Sequence, residues 1–128
     1  MIVRSHPELV RQLKTKGNPT VSDHPRIAMV GSGYWGKNLV RNFHALGALS
    51  AVCDSNSEAR QAIVAQFPVP LSTGDYTEVL ESPDIDAVAI ATPAVTHGNL
   101  VCRALMAGKD VYVEKPLCLS ESEGADLV

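Results

Sequence analysis

The chain has 128 residues, 45% of them apolar and 20% charged, with 11 Lys+Arg against 14 Asp+Glu and a net charge of −3. One small globular domain of ~100–150 residues is the default at this length, and there is no room for two well-buried cores. The acidic balance excludes the basic stripe expected of nucleic-acid or membrane-surface binders, and the apolar content excludes global disorder. No stretch approaches the ~18 consecutive apolar residues of a membrane-spanning helix. Residues 1–24 carry Arg4, Arg11, Lys14 and Lys16 but no apolar core of a signal peptide. Cys53, Cys102 and Cys118 form no C-x-x-C pair, so reduced, buried thiols and a cytoplasmic location are the expectation. His6, His24 and His44 have no metal-ligand spacing with each other or with a cysteine, and no metal is assigned.

In chain order, residues 1–24 form an N-terminal extension, a short helix on Leu9, Val10 and Leu13 or a disordered lead, closed by Gly17-Asn18-Pro19 and Asp23-His24-Pro25. From residue 25 strands and helices alternate. Arg26–Val30 is a short apolar run closed by glycine, a buried strand. A helix follows, with Leu39, Val40, Phe43 and Leu46 on one face and Gly47 as its stop. Leu49–Cys53 is a second strand. A helix capped from Ser55, Asn56 and Ser57 then buries Ala59, Ala62, Ile63 and Phe67. Pro68 and Pro70 precede a weak third strand at Leu71–Thr73, and Asp75 with Glu78 opens a short helix. Ile85–Ala91 is the fourth strand. The helix after it, from Thr96 to Ala107, buries Leu100, Val101, Ala104 and Leu105 and stops at Gly108. Val111–Val113 is the fifth strand, and Ser120-x-x-Glu123 starts a last helix.

Strands separated by helices require right-handed crossovers and a parallel sheet. The fold class is therefore α/β, a doubly wound parallel sheet of the Rossmann kind, whose ligands sit beyond the carboxyl ends of the strands. After the first strand stands Gly31-Ser32-Gly33-Tyr34-Trp35-Gly36, a G-x-G-x-x-G opening a helix. Glycines permit the tight turn, the close approach of a pyrophosphate and the packing of helix on strand, while the helix N-terminus offers free N–H groups. Asp54 ends the second strand 18 residues after Gly36, where a carboxylate accepts from both ribose hydroxyls and repels a 2′-phosphate. With Ser55 and Asn56 following rather than Arg, NAD is favoured over NADP. Trp35 reads as a packing residue beside the loop rather than a stacking platform, and His44 as a surface residue. Thr92, Pro93 and His97 follow the fourth strand, and Glu114-Lys115-Pro116 the fifth. Taken alone, Thr96 reads as a helix cap, His97 as surface and Lys115 as a solvated cation, or as a donor to a substrate oxygen.

The set Gly-Ser-Gly-Tyr-Trp-Gly (31–36), Asp54, Ala-Thr-Pro-x-x-x-His (91–97) and Glu-Lys-Pro (114–116) resembles the Gfo/Idh/MocA oxidoreductases, which include glucose–fructose oxidoreductase and inositol dehydrogenase. The resemblance covers residues 25–128, and the Tyr34–Asn38 stretch looks most like branches acting on nucleotide-linked sugars. It implies an NAD cofactor held by Gly31, Ser32, Gly33, Tyr34, Trp35, Gly36 and Asp54. It also implies that Thr92, Pro93, His97 and Glu114 line the ribose and nicotinamide side, and that Lys115 binds cofactor and substrate and polarises the reacting oxygen. Hydride would pass between nicotinamide and a sugar carbon.

Members of that family are more than twice as long, with a sixth strand and an antiparallel substrate domain. The expectation is therefore five of the usual six strands with the substrate domain absent: an incomplete NAD-binding domain that binds NAD with little or no turnover. A non-catalytic NAD-binding or regulatory module, or a half-site completed by a separate chain, are the alternatives. The fifth strand should be an open edge that invites a homo-oligomer, unless residues 1–24 cover it.

Overall fold

The computed structural model describes residues 2–3 and 25–113. The elements are β1 (Ile2–Val3), β2 (Ile27–Val30), α1 (Tyr34–Ala45), β3 (Leu49–Cys53), α2 (Ser57–Gln66), β4 (Leu71–Thr73), α3 (Tyr76–Glu81), β5 (Ala87–Ile90), α4 (His97–Met106) and β6 (Asp110–Val113). A single 3₁₀ turn, Ala94–Thr96, leads into α4. Each strand and helix read from the sequence between residues 25 and 113 has its counterpart here. The helices suggested at Leu9–Leu13 and after Ser120 lie outside the described residues.

One six-stranded sheet runs in the order β1-β6-β5-β2-β3-β4. β2 through β6 are mutually parallel, with Ile27–Val30 paired to Ala87–Ile90 on one side and Val30 opposite Cys53 on the other. The chain winds outward from β2 to β4, then crosses back to β5 on the other side of β2. The switch point thus lies between β2 and β5, where a doubly wound sheet opens its crevice.

The pleat sends alternate residues to opposite faces and builds two cores. Ala28, Val30, Ala51, Val88, Ile90, Val111 and Val113 pack with Tyr76 and Val79 of α3 and Val101 and Ala104 of α4. Met29, Val52 and Ala89 pack on the other face with Val40 of α1 and Ile63 of α2, flanked by Leu39, Phe43, Val64 and Phe67. Two residues expected in these faces are exposed. Leu46, 65% exposed, is the C-cap of α1, where the chain turns away through Gly47 at φ +72°. Ala62 is exposed because α2 packs through Ile63 and Val64, which rotates its buried face one residue onward. Helix starts follow local chemistry: Asn56 Oδ1 accepts from Ala59 N at 3.1 Å, and Asp75 Oδ1 accepts from Thr77 N at 2.9 Å.

β1 has no counterpart in the sequence reading. Ile2 and Val3 pair antiparallel with Tyr112 and Val111, so residues from the N-terminal extension cover part of the β6 edge. A two-residue edge strand leaves few main-chain groups for a neighbouring chain to pair with.

At the amino ends of the strands the scaffold is tied by charge. Arg26 Nε and Nη2 donate to the Asp86 carboxylate, each at 3.2 Å, and buried Lys109 donates from Nζ to Ser82 O at 2.7 Å and Ile85 O at 2.5 Å.

Candidate functional site

The carboxyl ends of neighbouring strands are tied together where the glycine loop begins. Gly31 N donates to Cys53 O at 2.9 Å, Ala91 N to Val30 O at 2.8 Å and Asp54 N to Thr73 O at 3.1 Å. Gly31 sits at φ +93°, and a Cβ on it would stand 2.9 Å from the Ala91 carbonyl carbon and oxygen and 3.1 Å from Thr92 Cγ2. Gly36 has no Cβ because the main chain of Gly31 fills that space, its carbonyl carbon 3.0 Å away. The loop, the β5 end and the first turn of α1 are thereby packed backbone to backbone.

Gly33 differs from both. A Cβ there would meet nothing within 4 Å, and its φ of −67° with ψ of −166° is open to any residue. Neither the fold's sterics nor its own dihedrals require a glycine at this position. The space beside it fits a group from outside the chain that must approach the backbone closely. Gly33 is also the N-cap of α1, with no side-chain cap hydrogen bond and no acid in the first turn. The positive end of the 12-residue helix therefore faces that same space with no acidic residue of its own first turn to neutralise it.

Asp54 leaves β3 and turns its carboxylate back to the loop. Oδ2 accepts from Ser32 N at 2.8 Å and Ser32 Oγ at 2.6 Å, while Oδ1 accepts from Asn56 N at 2.8 Å. A carboxylate offers about four lone-pair directions, so Oδ1 keeps one for a ligand hydroxyl. Taking both hydroxyls of a ribose would require one of these donors to yield. Burial pushes the Asp54 pKa up, but the Ser32 hydroxyl, the N–H groups of Asn56 and Ser32 and the charge of Arg60 outweigh it, so the net value is lowered. The carboxylate stays ionised. Ser32, wholly buried, serves the site by holding Asp54 rather than by facing the open side of the loop.

Arg60 is a site neighbour that sequence reasoning missed. Its Nη1 donates to Asp54 O at 2.6 Å and lies 3.1 Å from where a Gly74 Cβ would stand. Only a helix starting at Ser57 brings residue 60 back over residue 54, and the residues immediately after the acid give no sign of it. Cys53, buried next to Asp54, has its thiol pushed up to about 11 by burial first and the Asp54 charge second. Cys102 is exposed rather than buried, because α4 turns Val101 and Ala104 to the core, and Cys118 lies outside the described residues.

On the β5 side, Thr92 and Pro93 lead into the 3₁₀ turn. Thr92 Oγ1 is 2.7 Å from Thr96 Oγ1, which donates to Pro93 O at 2.6 Å. His97 is 2% exposed, against the surface reading it takes alone, because α4 starts at this residue and carries its ring inward. Its Nε2 is 2.8 Å from Thr92 O, and a carbonyl only accepts, so Nε2 carries the proton. His97 touches the site through the Thr92 main chain.

Tyr34 and Trp35 are 87% and 52% exposed. The packing role read for Trp35 is therefore corrected: it joins neither core cluster. It occupies the second position of α1, in the turn that the glycine loop opens. His44 is exposed as expected, its ring 5.0 Å from that of Phe67. The parallel pairing of Val113 with Ile90 brings the end of β6 to the same edge of the sheet as Ala91 and Thr92. Glu114, Lys115 and Pro116 lie outside the described residues. Among the described residues no group of His, Cys, Asp and Glu could hold a metal, and no helix is long and apolar enough to cross a membrane.

Comparison with known proteins bears on this arrangement. Residues 25–128 match the model of the Gfo/Idh/MocA oxidoreductase family, NAD-binding Rossmann fold. The chain is 38% identical over 102 residues to scyllo-inositol 2-dehydrogenase (NAD(+)) of Bacillus subtilis, covering 77% of this chain and 30% of that protein. Scyllo-inositol dehydrogenase of Lactobacillus casei, solved with bound NAD(H) and scyllo-inositol, superposes with a TM-score of 0.77 at 27% identity, over 82% of this chain and 32% of that one. UDP-N-acetylglucosamine 3-dehydrogenase of Acidithiobacillus ferrooxidans superposes at 0.75 with 28% identity, over 83% and 34%. The chain thus spans about 30% of the length of the curated relative it matches. The match spans most of the chain, which belongs to the Gfo/Idh/MocA oxidoreductase family and corresponds to its NAD-binding Rossmann domain.

Proposed function

We propose that the chain is the nucleotide-binding half of an NAD-dependent dehydrogenase of sugars or nucleotide-linked sugars, and that by itself it binds NAD with little or no turnover. The observation that carries this reading is the pairing of a glycine that nothing in the fold requires, Gly33, with an ionised Asp54 held beside it by Ser32.

Main-chain N–H groups at the start of α1 would receive the pyrophosphate, and Asp54 Oδ1 an adenosine ribose hydroxyl. The fixed negative charge of Asp54 opposes a 2′-phosphate, which supports NAD over NADP. Thr92 and Pro93, placed by His97 and Thr96, would flank the other half of the dinucleotide, together with Glu114 and Lys115, which come next after β6 in the sequence. Lys115 would bind and polarise the substrate hydroxyl or carbonyl. When bound, NAD supplies the acceptor or donor of a hydride exchanged with a sugar carbon, and the protein contributes position and electrostatics. The kinship with an inositol dehydrogenase and a nucleotide-sugar dehydrogenase supports a polyhydroxylated ring as substrate.

Trp35 is the single tryptophan and lies in the first turn of α1, so its emission reports on the loop directly. Titration of the purified chain with NADH should quench it saturably, more tightly than with NADPH, with no NADH formed from NAD and inositol or UDP-sugar. Equal or tighter NADPH binding overturns the NAD preference. A folded sample that binds neither overturns the cofactor reading, and measurable turnover overturns the half-site reading.

A further inference from the structure

The turn after β5 contains a chain of hydroxyls whose proton order can be read. Thr96 Oγ1 lies 2.6 Å from Pro93 O, an atom that can only accept, so the single Thr96 hydroxyl proton is committed there. The contact of 2.7 Å between Thr96 Oγ1 and Thr92 Oγ1 then has one polarity: Thr92 donates and Thr96 accepts. The Thr92 main chain is held in turn, its carbonyl 2.8 Å from His97 Nε2. Thr92 Oγ1 therefore has no proton for a ligand and keeps a lone pair for one.

We infer that Thr96 is a positioning residue that makes the Thr92 hydroxyl an obligate acceptor for a neutral donor, the ribose hydroxyl on the nicotinamide side of the dinucleotide. The inference rests on the proposed cofactor reading and deepens it. Strand order supplies the side. β2 lies between β3 and β5, so a dinucleotide crossing the glycine loop with one ribose at Asp54 has its second ribose at the β5 end, beside Thr92. An anionic oxygen there would meet an acceptor, whereas a hydroxyl finds its complement. The two ends of the site thus both accept from sugar hydroxyls, and the donors gather between them at the start of α1.

The test compares NADH with ADP, which lacks the second ribose, on the purified chain. A neutral hydrogen bond is worth ~1 kcal/mol net, a factor of about five in affinity. Thr96→Val should weaken NADH about five-fold and leave ADP unchanged, while Thr96→Ser restores NADH. Thr92→Val should cost the same, and the Thr92→Val/Thr96→Val pair no more than either alone, since Thr96 acts through Thr92. If Thr96→Val does not fold, Thr96→Ala and Thr92→Val carry the same comparison. Unchanged NADH affinity, equal loss of NADH and ADP, or additive losses overturn the inference. A wild-type chain that binds neither ligand refutes the cofactor reading and this inference together; one that binds both while Thr96 variants are indifferent refutes the Thr96 assignment alone.

Discussion

Gly31 and Gly33 stand two residues apart in one motif, and the structure separates what each is for. Gly31→Ala forces an L side chain to φ +93°, where the left-handed region costs roughly 1–2 kcal/mol. Its methyl would also lie 2.9 Å from the Ala91 carbonyl group, backbone that cannot rotate away, and overpacking of that kind costs about 1–3 kcal/mol. The sum, roughly 2–5 kcal/mol, is a large share of the ~5–15 kcal/mol of a whole domain and should lower Tm by about 7 °C or more. Gly33→Ala meets nothing within 4 Å at an allowed φ and ψ. The loss of a glycine N-cap, up to about 1 kcal/mol, is offset by ~0.4–1 kcal/mol from a stiffer unfolded chain, so Tm should hardly move. Affinity should behave the other way. A methyl in the open space keeps a pyrophosphate from the α1 N–H groups, and losing one charge-assisted hydrogen bond of ~1.5–3 kcal/mol weakens NADH about 10- to 100-fold. Thermal unfolding by circular dichroism and NADH titration on both variants check this. Gly33→Ala binding NADH like wild type, or Gly31→Ala melting like wild type, would refute the division of labour.

Three further outcomes are expected. The folded-state pKa of Asp54 is depressed, so its contribution to stability is present above the ordinary value of 3.8 and is lost as pH falls through the lower folded value. Asp54→Asn should accordingly be less stable than wild type at neutral pH, with the gap closing as the pH drops below about 4; a pH-independent gap in urea unfolding would contradict this. Lys109→Met removes the donor to Ser82 O and Ile85 O at the amino ends of the strands, far from the loop. It should cost ~1–3 kcal/mol of stability with NADH affinity unchanged, and a shift in NADH affinity would show that the two ends of the sheet are coupled. Removal of residues 1–3 strips β1 from β6, so sedimentation velocity should find concentration-dependent association that the full chain lacks; two equally monodisperse samples would rule out edge protection by β1.

What the sequence made legible was local. Val30, Cys53 and Ile90 each end an apolar run just before a loop, and Gly47 and Gly108 stop helices at φ +72° and +79°, so strand and helix order followed from neighbouring residues. The glycine loop and Asp54 were legible for the same reason, since each stands directly after its strand. The features that escaped depend on residues remote in the chain. β1 exists because Ile2 meets Tyr112 across the edge of the finished sheet, and two residues carry no periodicity to announce it. The partner of the Ser32 hydroxyl is equally remote, Asp54 standing 22 residues away, and the motif around Ser32 gives no sign of it. Trp35 reads as a packing residue beside the loop, but in the first turn of α1 it is 52% exposed and joins neither core cluster.

These remote contacts share one direction. Ser32 is wholly buried and His97 nearly so, and each uses its polar atoms on a residue that stands partly open at the carboxyl edge, Asp54 and Thr92 respectively. Thr96 does the same for Thr92. Two acceptors are thereby held in place on either side of a glycine loop that leads into the N-terminus of α1, where no side chain caps the first turn. A fold seeking only stability would have no reason to leave Gly33 bare, the α1 N-terminus without a side-chain cap, and an ionised carboxylate turned toward both. A dinucleotide accounts for all three: its phosphates are anionic at the centre, where the donors are, and its sugar hydroxyls are donors at the flanks, where the acceptors are. The order acceptor, donor, acceptor across β3, β2 and β5 is therefore the feature that a ligand of any other charge pattern would fail to match.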